Sequence, residues 1–238
     1  MKPYLSVIIP AFNEIDRISN TIFSVNSFLK NKKYTYEIIV VDDGSDDGTY
    51  DLLERIKKGI PVLRVTRLSK NNGKGTAVKE GMLSAKGEVR LFMDADGSTS
   101  ITEIDKLILF IENGYDVVVG SRIIAGSLKK IKQSFIREFL GWIYRILVHT
   151  LINIDVKDTQ NGFKLFSQNS AEMIFNSIEV KGWGFDIEIF LIAKKMNYLV
   201  KEIPITWVND RRSKMNFTQM IRMLSDLFLL RKKYYEYI

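Results

Sequence analysis

Two carboxylates separated by one residue close an apolar run in the stretch RLFMDADGSTS, where Asp94 and Asp96 flank Ala95 and precede Gly97. Alternate side chains of an extended chain point to the same side, so both carboxylates are expected to converge. Two hard oxygen ligands suit Mg²⁺ or Mn²⁺ bridging a substrate's phosphates, since such an ion takes one or two protein carboxylates and phosphate oxygens for much of the rest. Repulsion between adjacent anions on a partly desolvated rim calls for a cation as well. The competing reading is a turn and helix cap, for which Asp and Ser are favoured.

A second acidic stretch, DDGSDDGTYDLLE, fits a calcium loop that runs from Asp43 to Glu54. Such a loop is entered from a helix, whereas the preceding run EIIVV predicts a buried strand. A strand-end turn is therefore expected, with Asp46 or Asp47 capping the next helix and Asp42 free to contact a ligand. In KNNGKGTAVKEG, Gly73, Lys74 and Gly75 stand at a predicted helix start, where exposed amides and a positive charge suit a phosphate. An ordinary loop and helix turn has the same composition, and the Walker spacing is absent.

The elements that must position these groups alternate. LSVIIPAF, EIIVVDD, VLRVT, VRLFMD and DVVVGS are near-continuously apolar, as strands covered on both faces must be, and helical spacing fills the intervals between them. This predicts an α/β fold with a doubly wound, mostly parallel sheet, right-handed crossovers, and ligands gathered at the carboxyl ends of the strands. Asn13 and Glu14, Asp42 and Asp43, Asp94 and Asp96, and Ser121 and Arg122 all follow strand candidates, so one rim should collect them. From about residue 127 a long apolar helix over 131–154 is expected, then a helix over 168–176 and a strand at VKEIPITW. The tail is predicted to be an amphipathic helix with Phe217, Met220, Ile221, Leu224, Leu227 and Phe228 on one face. No Pro/Gly-rich linker or internal repeat divides the chain, which is expected to form one domain.

The bulk numbers narrow the function. A chain of 238 residues with 46% hydrophobic content can bury a full core. The lack of cysteine excludes disulfides and thiolate metal sites, and the single histidine, His149, argues against histidine-rich metal centres and a Ser-His-Asp hydrolase. A formal charge of +7 points to an anionic partner. No basic motif interleaved with aromatics supports nucleic acid. Neither a signal peptide nor a membrane span is expected; the segment FLGWIYRILVHTLINI is too short to cross a bilayer and contains Arg145.

In combination, SVIIPAFNE, IIVVDDGSDDGT, NGKGTAVKEG, DADGS and GSR resemble the inverting family 2 glycosyltransferases of GT-A fold. DTQNGFKLF, GFDIEI and EIPITW are similar to the polyprenyl-phosphate branch, above all to dolichyl-phosphate β-glucosyltransferases. The resemblance runs from about Leu5 to Lys214, which would form the glycosyltransferase domain. Residues 1–126 would be its nucleotide-sugar half and 127–214 its acceptor half, with 215–238 as a basic amphipathic helix. It implies that Pro10, Ala11, Asn13, Glu14 and Asp42 hold the nucleotide. Lys74, Ala95, Arg211 and Lys214 would contribute to the nucleotide sugar, and Asp94 and Asp96 would carry Mg²⁺ or Mn²⁺ on its diphosphate. Arg122 and Arg137 would bind the acceptor phosphate, and Gln160, Lys164 and Asp186 would line the same pocket. The cluster DRRSK resembles a segment that closes over the donor. Ser98 stands where mannosyl-transferring relatives commonly carry Gln, which favours UDP-glucose over GDP-mannose.

The implied reaction passes a hexose to a polyprenyl phosphate lipid, with the enzyme peripheral on the cytosolic face of a membrane and a homo-oligomer possible. Transfer to a hydroxyl acceptor, with Asp186 or Asp158 as general base, is the enzymatic alternative. A non-catalytic binding module on the same fold is the other.

Overall fold

The computed structural model describes residues 2–130, 135–208 and 217–238, with side chains described over 2–130, 138–208 and 222–238. Seven strands form the main sheet: β1 (Leu5–Ala11), β2 (Tyr36–Asp42), β3 (Leu63–Arg67), β4 (Val89–Met93), β5 (Val117–Ser121), β7 (Phe163–Ser167) and β8 (Val200–Pro204). Their order is β3-β2-β1-β4-β7-β5-β8. Every pairing is parallel except those of β7, which runs against both β4 and β5. A short second sheet joins β6 (Leu128–Lys129) to β9 (Thr206–Trp207).

The helices are α1 (Ile18–Leu29), α2 (Thr49–Lys57), α3 (Lys74–Ser84), α4 (Ile104–Glu112), α5 (Phe135–Ile152), α6 (Gln168–Ser177), α7 (Phe185–Lys195) and α8 (Phe217–Lys233). Strand parity sorts the apolar residues into two layers. Val7, Ile9, Ile38, Val40, Leu91 and Val118 pack with α1, α2 and α4. Ile8, Ile39, Val41, Phe92 and Val119 pack with α3, α5, α6, α7 and α8. This is the expected doubly wound α/β sheet, with both faces covered.

β7 is the departure that matters for the site. Because it is antiparallel, its beginning lies beside the end of β4: Met93 pairs with Phe163, and Asp94 N donates to Gly162 O at 3.0 Å. The DTQNGFK segment therefore enters the carboxyl-end rim from the front of a strand. A Cβ at Gly162 would collide with the Asp94 carboxylate, so only glycine fits there.

Two expectations about local packing need correction. The buried face of α8 is Met223, Leu227, Leu230 and then Tyr234, whereas Phe228 is 61% exposed. Of the expected stripe, Leu227 is fully buried and Leu224 packs partly buried against the core, whereas Phe228 turns outward. The side chains of Phe217, Met220 and Ile221 lie outside the described residues. Helix α5 is described from Phe135 to Ile152, and residues 131–134 of its expected span lie outside the description. One side, Tyr144, Val148 and Ile152, enters the core, while Phe139, Trp142, Ile143 and Ile146 are exposed.

Candidate active site

A cavity of about 950 Å³ opens at the carboxyl end of β1, β2 and β4. Pro10, Ala11, Glu14, Asp94, Ala95 and Asp96 line one side, and Gly73, Lys74 and Trp183 another. Arg222, Asp226, Leu229 and Lys233 of α8 close it. The acidic pair does not stay extended as expected, since the chain turns at Ala95–Asp96 and Gly97 takes φ +66°. Both carboxylates nevertheless face the same cavity.

Each acid of the pair is held differently. Asp94 Oδ1 lies 2.7 Å from Lys74 Nζ, whose ammonium also stands 4.6 Å from the Trp183 ring centre and 5.2 Å from that of Phe92. Burial works against the charge of Asp94, but Lys74 first, then Lys164 and Arg122, hold its carboxyl below the usual range. Asp96 accepts the Ser98 amide at 2.9 Å; burial and then the charge of Asp94 push its carboxyl up. Ser98 Oγ is buried without a hydrogen-bond partner among the described residues. Two close carboxylates, one of them disfavoured as an anion by the other, form a hard-oxygen donor set that fits a divalent cation.

Asp42, expected to contact a ligand, is not among the residues that line this cavity. That carboxylate is fully buried, accepts the Ser45 amide at 3.3 Å and faces Arg67 Nε at 3.4 Å, so it lies beneath the cavity. Asp43, the next residue along and therefore directed elsewhere, lines it instead and receives the Asn72 and Gly73 amides at 2.8 and 2.9 Å. Asp42 belongs to the strand and Asp43 to the turn, a difference of one residue that no sequence signal marked. Asn13, at φ +55°, accepts from Asp46 N at 3.0 Å and braces the turn behind the lining residues. Gly48, and not Asp46 or Asp47, is the N-cap of α2; Asp47 stands just before it and accepts from Thr49 N at 2.9 Å, and β2, not a helix, leads into this turn.

Behind this cavity lie two further cation–carboxylate pairs. Arg122 grips Asp158 through Nε at 2.8 Å and Nη2 at 2.7 Å, and its own amide reaches the same carboxylate at 2.8 Å. Burial disfavours the Asp158 anion, yet Arg122 holds its carboxyl below the usual range. Lys164 Nζ contacts Asp186 at 2.5 Å and the Asn161 carbonyl at 2.7 Å. Burial pulls Lys164 below the lysine range and pushes Asp186 above the aspartate range, each partner's charge opposing the shift. Both side chains are closed off, at 0% and 1% exposure, so they support the site from beneath and do not line an open pocket. Gln160 is half-buried in the same loop. The side chain of Arg137, together with Arg211 and Lys214, lies outside the described residues.

Sequence reasoning missed the α8 wall. Glu188, fully buried on α7, accepts from Glu179 N at 3.0 Å, Val180 N at 2.8 Å, Lys233 Nζ at 2.8 Å and Tyr234 Oη at 3.1 Å. The visible signal was a Glu inside the apolar run FDIEIFLIA, a placement that demands partners.

The family model for glycosyl transferase family 2 matches residues 6–175. A dolichyl-phosphate beta-glucosyltransferase of Dictyostelium discoideum is 37% identical over 97% of this chain and 75% of its own length. The enzyme of that name from Saccharomyces cerevisiae is 36% identical, with the same coverage of both chains. Among solved structures, glucosyl-3-phosphoglycerate synthase from Mycobacterium tuberculosis, in complex with Mn²⁺, UDP and glucosyl-3-phosphoglycerate, superposes with a TM-score of 0.72 at 19% identity. That match covers 96% of this chain and 80% of the other, and likeness at this identity speaks to the shared fold.

Proposed function

This chain belongs to glycosyl transferase family 2 and is a glycosyltransferase, and from that premise we propose that it transfers glucose from UDP-glucose to a polyprenyl phosphate, dolichyl or undecaprenyl, with inversion. The product is a β-linked lipid-phosphate glucose. The named activity of the two relatives supports the sugar and the lipid class, and the Mn²⁺ in the structural neighbour supports a divalent metal.

One observation carries the choice of acceptor. A hydroxyl acceptor needs a carboxylate base, but both candidates on that side of the site are committed: Asp158 to Arg122, and Asp186, almost fully buried, to Lys164. A phosphate acceptor is already ionised and needs cations rather than a base. In this reading Arg122 and Arg137 hold the acceptor phosphate, and arginine's planar fork suits its oxygens.

Pro10, Ala11, Glu14 and Asp43 border the nucleotide, and Lys74 faces the diphosphate. Asp94 and Asp96 would hold Mg²⁺ or Mn²⁺, which when bound neutralises charge developing on the leaving nucleoside diphosphate. The acceptor oxygen displaces that diphosphate in one step, which inverts the anomeric centre. Arg211 and Lys214 are proposed to contribute positive charge to the donor diphosphate. We assign 1–126 mainly to the donor and 127–214 mainly to the acceptor, with α8 completing the donor cavity. No helix among the described residues is long and apolar enough to cross a membrane. Peripheral contact with the cytosolic face is proposed instead through Phe139, Trp142, Ile143 and Ile146, which α5 leaves exposed.

The test is transfer of label from UDP-glucose, and separately from GDP-mannose, into organic-extractable lipid with Mg²⁺ and a short polyprenyl phosphate. Metal-dependent labelling from UDP-glucose that is lost in Asp96→Asn is expected. Labelling from GDP-mannose alone would overturn the donor, and transfer only to a hydroxyl compound would overturn the acceptor.

A further inference from the structure

Glu202 lies on β8, at the edge of the sheet, where it pairs with Val119 of β5. Its carboxylate turns toward the loop before β7 and takes two consecutive backbone amides, one on each oxygen. Lys157 N donates to Oε2 at 2.9 Å and Asp158 N to Oε1 at 2.8 Å. The segment so pinned presents Asp158, 2% exposed, to Arg122. Asp158 then receives the Nε, Nη2 and backbone N–H groups of Arg122. A guanidinium has five N–H donors in a fixed plane. The edge bearing Nε is committed to Asp158, which leaves the edge bearing Nη1 to meet a ligand. Trp207 flanks the same group, with its ring centre 5.5 Å from Cζ.

We propose that Glu202, acting through Asp158, is a positioning residue for the transfer reaction: it fixes the plane of Arg122 so that the free edge faces the acceptor phosphate. The inference rests on the acceptor-phosphate role of Arg122. An arginine without this brace loses rotamer entropy on binding phosphate, and it can swing toward the Asp94 carboxylate. A braced one binds with its geometry already set. Glutamate is required at 202 because both amides need an acceptor; glutamine offers one oxygen and turns an NH₂ group toward the other amide.

The experiment compares wild type with Glu202→Gln, Arg122→Ala and the double variant. It measures acceptor KM and kcat with a short polyprenyl phosphate, UDP affinity by calorimetry, and thermal melting. Glu202→Gln is expected to raise acceptor KM roughly tenfold, the loss of one well-placed hydrogen bond to a charged group. UDP affinity should hold, and the substitution should add nothing in the Arg122→Ala background, because residues acting through one another are not additive. Asp158→Asn should give the same signature and serves if Glu202→Gln does not fold. An unchanged acceptor KM in both, or a Glu202→Gln effect that multiplies that of Arg122→Ala, would overturn the positioning role. If Arg122→Ala itself leaves acceptor KM unchanged, the acceptor reading fails.

Discussion

Lys74 Nζ lies 2.7 Å from Asp94 Oδ1, so the first residue of α3 neutralises the first acid of the pair at the end of β4. Burial opposes the ammonium, but Asp94 first, then Asp186, hold it above the usual lysine range. Lysine is thus charged throughout the working pH range and stands where a diphosphate would meet the acids. Lys74→Met is expected to lower kcat/KM for UDP-glucose on the order of 10²-fold, as removal of one electrostatic stabiliser does elsewhere. Steady-state kinetics with donor varied checks this, and an unchanged kcat/KM would remove Lys74 from the site.

Gly162→Ala should be disproportionately harmful. The added methyl must displace the Asp94 carboxylate or break the Asp94 N–Gly162 O hydrogen bond. A stability loss of about 1–3 kcal/mol is expected from overpacking, together with near-complete loss of transfer. Urea unfolding and the lipid-labelling assay measure the two effects separately; full activity would show that the loop can yield.

Acid should expose the Asp158–Arg122 pair. The folded-state pKa of Asp158 lies below its unfolded value of about 3.9. Its stabilising contribution is therefore complete above that unfolded value and is lost as pH falls through the folded one. At pH 6 Asp158→Asn should cost roughly 3 kcal/mol, as loss of one partner of a buried pair does, and the gap to wild type should narrow toward pH 3. Urea unfolding across that range is the measurement, and a gap independent of pH would contradict it.

Glu188→Gln should loosen α8 without disturbing the sheet. Lys233 Nζ and Tyr234 Oη share one Glu188 oxygen, while the other holds two backbone amides. A loss of about 1–3 kcal/mol is expected for hydrogen bonds to a charged group. Amide exchange should accelerate in 222–238 but not in β1, β2 and β4. Uniform acceleration would mean that α8 does not open on its own.

Much of this architecture was legible in the sequence because it rests on periodicity. Short, β-branched apolar runs such as VIIPA and IIVV suit strands covered on both faces, and the strand-helix alternation they set up put Asp94, Asp96 and Arg122 at the same end of the sheet. What escaped rests on single-residue rotations. Asp42 and Asp43 are adjacent acids, and whether the strand ends before or after the first decides which one meets the cavity. Phe228 and Leu229 are as apolar as Leu227, yet only the packing of α8 on α5 and α7 selects which enters the core. The antiparallel course of β7 was equally hidden, since the direction of a strand leaves no trace in its own composition. With it went the closeness of Gly162 to Asp94.

That insertion of β7 also constrains how the molecule assembles. β1 to β4 and the helices between them can pair as soon as β4 has been made, because every partner among them is by then present. β5 follows immediately but cannot dock beside β4, since the place between them belongs to a strand made only after α5. Until residues 163–167 arrive, β4 keeps an open hydrogen-bonding edge, the kind of surface that recruits wrong partners. Completion of this rim is thus tied to a long-range closure, and truncation before residue 167 is expected to leave a sticky half-sheet instead of a smaller working domain.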